Sequence, residues 1–161
     1  MIQDNHQQQM LIQEKKDYNI TLNIMAKIFQ QYGANISMTP MPLYHPYDAN
    51  MTVTTKNKTK EYAVEIKERN YVGELKTLPL KVKKYCNIMS NVGNKTPIVI
   101  YLCNGKEYYI FDLNKLDLNK LIIKNWNIPK VQLTNNHQFE EQPTFFIPIS
   151  MSIYRGTYAN N

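Results

Sequence analysis

Two acids and an amine stand out for what they can do together. Asp48 lies upstream of an alternating run, Ala63-Val64-Glu65-Ile66-Lys67-Glu68-Arg69, that holds Glu65 and Lys67. Carboxylates are hard oxygen donors, and a pair of them suits a divalent cation such as Mg²⁺, which takes few protein ligands and keeps several waters. A neighbouring ammonium can orient or deprotonate a water, or offset the charge of an anionic substrate. Such chemistry requires the three groups to converge, although they are distant along the chain. If they do not converge on a cation, they form an ordinary cross-strand charge cluster, worth at most about 1 kcal/mol per pair.

The elements that must position them read as a β-hairpin. Val64 and Ile66 are apolar and alternate with Glu65 and Lys67, so the two charged side chains project from one face of a strand. The partner strand runs from Ala49 to Thr55, rich in Val and Thr, and Lys56-Asn57-Lys58-Thr59-Lys60 forms a polar connection. A turn centred between Asn57 and Lys58 sets Asp48 opposite Lys67 and diagonal to Glu65. Opposed Cβ atoms lie about 5 Å apart and diagonal ones roughly 7–8 Å, a gap that a cation bound by both carboxylates would span. A one-residue slip would turn Asp48 to the other face.

Around the hairpin the chain supplies the other layers. The spacing of Ile20, Leu22, Ile24, Met25, Ile28, Phe29 and Tyr32 predicts a helix over 20–32, with Asp17 or Asn19 as its cap and Gly33 as its stop. The Gln-rich stretch before it reads as a frayed tail or the exposed start of that helix. Asn35 to Met41 is a short strand. Leu43-Tyr44-His45-Pro46 is an extended connector, with His45 a spacer or phosphate neighbour. Leu80 to Asn91 reads as a second helix, its stripe made by Leu78, Val82, Tyr85, Met89 and Val92. Pro97 to Cys103 is a continuous apolar strand of the kind found at the centre of a covered sheet. Asn104-Gly105 signals a hairpin turn into a strand from Glu107 to Phe111. Beyond Asp112 the periods are indistinct: Asn135-Asn136 reads as a turn, Thr144 to Ile153 as an edge strand broken by Pro148, and Trp126 as a core residue.

The motif in this element order resembles the PD-(D/E)xK nuclease superfamily, which has the restriction-endonuclease-like fold. Asp48 matches the first acid and Glu65-Ile66-Lys67 the (D/E)xK tripeptide. Tyr47 stands where the family name has Pro, and Pro46 lies one position earlier. The resemblance covers approximately Asn19 to Phe111. It implies an α/β fold with an αβββαβ core and a mixed central sheet flanked by helices. The core then spans approximately 19–111 and a C-terminal extension 112–161, within a single domain over 1–161.

The resemblance also implies a function: a metal-dependent DNA nuclease that hydrolyses phosphodiester bonds. Asp48, Glu65 and Lys67 would be catalytic. Asp48, Glu65 and the Ile66 carbonyl would hold Mg²⁺, with Mn²⁺ as a substitute, and Lys67 would sit beside the attacking water. In relatives the helix after the ExK strand flanks the substrate groove, which makes Lys81 and Lys84 candidates for DNA phosphate; the plainer reading is a solvated helix face. The hairpin tip, Lys56 and Lys58 with Lys60, is a second basic candidate. The family's first helix often carries another acid. Asn23 stands near that position and Glu14 lies well upstream, so a second metal is not implied. Nucleases of this fold often work as dimers, which makes a homodimer an arrangement to test. The alternative is a non-catalytic nucleic-acid-binding or assembly module on the same fold.

Composition is compatible with these readings and excludes several others. The chain has 161 residues, 43% hydrophobic and 20% charged, with a formal net charge of +6, enough for a sizeable core and a modest attraction to polyanions. Cys86 and Cys103 share no metal-ligand spacing and read as buried, reduced thiols in a cytoplasm. The N-terminus lacks the apolar core of a signal peptide, and no apolar run is long enough to span a bilayer. There is no phosphate-binding glycine loop. The weight of Asn, Lys and Ile suits an AT-rich coding genome such as a phage's, and hence a host cytoplasm.

Overall fold

The computed structural model describes residues 2–129 and 139–159. The chain opens with helix α1 (Ile2–Gln30), followed by strands β1 (Asn35–Pro40), β2 (Ala49–Thr54), β3 (Thr59–Arg69) and β4 (Thr77–Lys81). Helix α2 (Val82–Asn91) follows, then β5 (Thr96–Cys103), β6 (Glu107–Asp112), β7 (Ile122–Pro129), β8 (Phe139–Pro148) and β9 (Tyr154–Thr157). A six-stranded sheet takes the order β1-β2-β3-β5-β6-β9, and a three-stranded sheet the order β4-β8-β7. In the larger sheet β3 and β5 run parallel and the other neighbours antiparallel. The protein is thus a mixed α/β fold built on a mixed central sheet with two helices.

Each face of the large sheet has its own core. On one face α1 lays Ile24, Met25 and Ile28 over Met51, Val53, Val64, Ile98 and Ile100. On the other, α2 and the small sheet bring Ile88, Leu78, Leu80, Phe145 and Ile147 against Ala63, Val99, Tyr101 and Phe111. β5 lies between the two, and everything after its first residue is buried, as its unbroken apolar run requires. The Asn104-Gly105 turn has φ of 50° and 66°, the left-handed pair that matches the twist of a hairpin.

Several elements differ from the sequence expectation, each for a physical reason. α1 starts at Ile2 rather than near Ile20, so Asp17 and Asn19 lie inside it instead of capping it. No Gly or Pro interrupts residues 2–30, and straight-chain Gln, Glu, Lys and Met sustain a helix. The apolar stripe marks only its second half. Leu80, expected to open α2, lies with Leu78 and Pro79 in β4, and α2 begins at Val82. Pro79 is tolerated there because β4 is an edge strand. β8 ends at Pro148 and sits between β4 and β7, so it is central, not an edge. Residues beyond Asp112 therefore supply strands to both sheets. Trp126 is 42% exposed and stacks on Phe146 instead of entering the core. Cys86 is exposed while Cys103 is buried, and both are free. The expected turn at Asn135-Asn136 lies outside the described residues. Among the described residues no helix is long and apolar enough to cross a membrane.

Candidate metal and phosphate site

The hairpin turn is tighter than expected and moves Asp48 into a better place. Thr54 pairs with Thr59 and Ala49 with Val64; Thr55 N–H donates to Lys58 O at 2.8 Å, which leaves Lys56-Asn57 as the turn. Relative to the expected centre the register moves by two residues along β3, so the face is preserved. Asp48, just before the first registered pair Ala49–Val64, consequently lies beside Val64 rather than opposite Lys67. Its N–H donates to Val64 O at 2.9 Å, and its carbonyl accepts from Met41 N–H at 2.8 Å. Its carboxylate Oδ2 accepts from Ile66 N–H at 2.6 Å. N–H and C=O of one strand residue point to the same edge, so the Ile66 carbonyl shares that edge with Asp48.

Glu65 is 2% exposed, on the face of β3 that α2 covers. Lys67, two residues on, donates from Nζ to Glu65 Oε1 at 2.7 Å. The second oxygen, Oε2, meets Lys84 Nζ at 2.9 Å, yet the angle gives no hydrogen bond, and this buried atom is left without one. Two acids and two ammonium groups thus converge at one end of β3. Burial and the nearby Glu65 push the Asp48 carboxyl up to about 6, against the opposing pull of Ile66 N–H, Lys84 and Lys67. Residue 48 as a whole is exposed, but its carboxyl is crowded enough to lose part of its hydration.

The remaining sequence candidates are sorted by the sheet. Lys81 ends β4, and burial together with Lys67 lowers its pKa, Glu140 opposing the shift and Arg69 and Lys83 adding to it. It belongs to the same positive rim. Lys56 and Lys58 are exposed at the far end of β3, roughly 30 Å from Lys67 at about 3.3 Å per residue, and the structure does not bring them to the acids. Lys60, beside them, lies over the Tyr62 ring at 4.9 Å. Asn23 is exposed on α1, and α1 covers the opposite face of the sheet. His45 sets its ring edge on Tyr47 at 4.4 Å, with Nδ1 3.2 Å from Tyr47 O, and braces its own loop.

Lys84 is the residue whose place the sequence reading missed. A candidate for DNA phosphate or a solvated helix face, it ion-pairs with Glu65, a contact the sequence reading does not include. A signal existed: Lys84, Ile88 and Val92 are spaced four apart, and Ile88 and Val92 are buried. That spacing puts all three on the inner stripe of α2.

No family model and no curated protein matches the chain. Among solved structures it is similar to Hjc, a Holliday junction resolvase from the archaeal hyperthermophile Archaeoglobus fulgidus. The TM-score is 0.44 and the identity 11%, over 84% of this chain and 86% of that one.

The donor set fits a small divalent cation. Asp48 and Glu65 are close enough for Glu65 to raise the Asp48 pKa, and the buried Oε2 of Glu65 has only the Lys84 ammonium as its partner. Among the described residues no cluster of three or more His, Cys, Asp and Glu side chains exists. Two carboxylates with a backbone carbonyl match an ion that keeps most of its waters, such as Mg²⁺, rather than a fully caged one.

Proposed function

We propose that the chain is a metal-dependent DNA nuclease that hydrolyses phosphodiester bonds. The observation that carries this reading is the convergence of Asp48, Glu65 and Lys67 at one end of the mixed sheet. Asp48, Glu65 and the Ile66 carbonyl would hold Mg²⁺, with Mn²⁺ able to replace it. When bound, the ion supplies Lewis-acid polarisation of the phosphate and a lower pKa for water.

The chain's own groups do the rest. Lys67 Nζ, held by Glu65 Oε1 at 2.7 Å, presents an ammonium that orients the attacking water or offsets the charge that develops on the phosphate oxygens. Glu65 fixes the position of that ammonium. Ile66 N–H locks the rotamer of Asp48. Lys81 and Arg69 extend the positive rim along which a phosphate backbone would lie.

The test is to incubate the protein with linear, circular, single-stranded and branched DNA in Mg²⁺ or Mn²⁺. Cleavage by the wild type that is lost in Glu65→Gln and Lys67→Met supports the reading; equal cleavage by those variants removes the site assignment. A second reading, a non-catalytic DNA-binding module on the same fold, is favoured by one observation. Lys67 and Lys84 already balance the charges of Asp48 and Glu65 without a cation. It predicts DNA affinity that falls steeply with salt, ignores metal and comes with no cleavage. Light scattering with and without DNA distinguishes a homodimer from a monomer. The Asn- and Lys-rich composition suits a phage gene acting in a host cytoplasm.

A further inference from the structure

The loop before Asp48 carries a residue that the fold itself gives no reason to keep. Its base is closed by the Met41 N–H to Asp48 O hydrogen bond at 2.8 Å, and its tip by His45 N–H to Pro42 O at 3.1 Å. Residues 42–45 are therefore a hydrogen-bonded β-turn, with Leu43 and Tyr44 in the two central places. Tyr44 has φ of 69°. A positive φ at the third place of a turn is the signature of glycine or asparagine, and an aromatic residue there is strained.

Burial does not compensate for that strain. Tyr44 is 91% exposed and Leu43 is 68% exposed. The pedestal beneath them is stiff. Prolines 42 and 46 bracket the turn, His45 packs edge-on against Tyr47, and Tyr47 is itself 3% exposed with its hydroxyl donating to Asn50 Oδ1 at 3.2 Å. Three residues separate Tyr44 from Asp48, which limits their Cα atoms to about 14 Å apart.

We propose that Tyr44, seconded by Leu43, is a stacking wedge for an unpaired base of the nucleic acid whose phosphate lies at the acid pair. This rests on the nuclease reading and adds the substrate form to it: DNA with at least one base out of the stack, at a single strand, flap or branch. The chemistry is that of an exposed aromatic face on the loop that leads into Asp48, and aromatic faces are what hold unstacked bases in proteins that bind single strands. A closed duplex offers such a ring no open base face.

The test pairs stability with binding. Tyr44→Gly relieves the positive φ, so its melting temperature should rise by about 3 °C. Its affinity for a duplex carrying a single-stranded flap should fall about tenfold, while affinity for a blunt duplex stays unchanged. Tyr44→Trp should retain flap binding, and 2-aminopurine placed at the first flap base should be quenched by the wild type and by Tyr44→Trp but not by Tyr44→Gly. Equal affinity of wild type and Tyr44→Gly for the flap overturns the wedge and leaves the nuclease reading standing if cleavage persists. A wild type that binds neither DNA overturns both.

Discussion

Lys84 Nζ, carried on α2, stands 2.9 Å from Glu65 Oε2 on β3. The contact gives the buried carboxylate a second counter-ion, and a metal ion held by Glu65, as proposed, would compete with this lysine for one oxygen. Lys84→Met should therefore bind Mn²⁺ about tenfold more tightly, equivalent to ~1.4 kcal/mol. The metal-free protein should lose roughly 1–2 kcal/mol, because Glu65 keeps only Lys67. Calorimetric titration with Mn²⁺ and urea unfolding in chelator read the two effects. Unchanged or weaker metal affinity would mean that the lysine assists the ion instead of opposing it.

Lys67 is set apart from Lys84 by the hydrogen bond it makes and by its position on the strand. Its replacement by methionine should cut the cleavage rate by about 10²–10⁴-fold. Binding of Mn²⁺ should remain, since both carboxylates survive. Parallel loss of metal binding would show that the amine holds Glu65 in place and takes no part in the reaction.

Asp17, within α1, gives a pH dependence away from the site. Burial and the nearby Glu68 raise its pKa to about 6, while the hydrogen bond from Gln13 Nε2 opposes the shift. A carboxyl that holds its proton more tightly folded than unfolded favours the fold at low pH. That contribution is lost as pH rises from about 4 through 6. Asp17→Asn should therefore be more stable than the wild type at pH 7 by about 1 kcal/mol, after allowance for partial solvent screening, and should converge with it near pH 4. Thermal unfolding at a series of pH values checks it; a constant gap would place the cause elsewhere.

The two basic regions should separate in DNA binding. Lys81 shares the rim with Lys67 and Arg69, so Lys81→Ala should weaken binding and reduce the salt slope by about 1. Lys56→Ala with Lys58→Ala, at the far end of β3, should leave cleavage at the acid pair unchanged. A larger loss from the hairpin-tip pair than from Lys81 would move the DNA path to the other end of the sheet.

What the chain disclosed in advance follows from how local each signal is. The alternation through Val64, Glu65, Ile66 and Lys67 declares its own face, and the apolar run of β5 declares its own burial. The turn lies two residues along β3 from the expected register, so Asp48 meets the Ile66 N–H and not Lys67. The N-terminal half of α1 escaped notice because it has no apolar stripe to mark it. β4 was concealed because Leu78 falls four residues before Val82, on the same helical stripe. Lys84 was harder still: its partner lies on another element, and only the buried spacing to Ile88 pointed inward.

The parallel pairing of β3 with β5 has a kinetic consequence. Asp48, Glu65 and Lys67 belong to a hairpin that closes across a two-residue turn, a microsecond event available to the chain as soon as it emerges. Lys84 lies on the crossover between β3 and β5, whose docking must bear the entropy of a long loop and comes later. During synthesis the two acids therefore meet before their second lysine arrives. In that interval a divalent ion held by the acids, as proposed, would meet less competition.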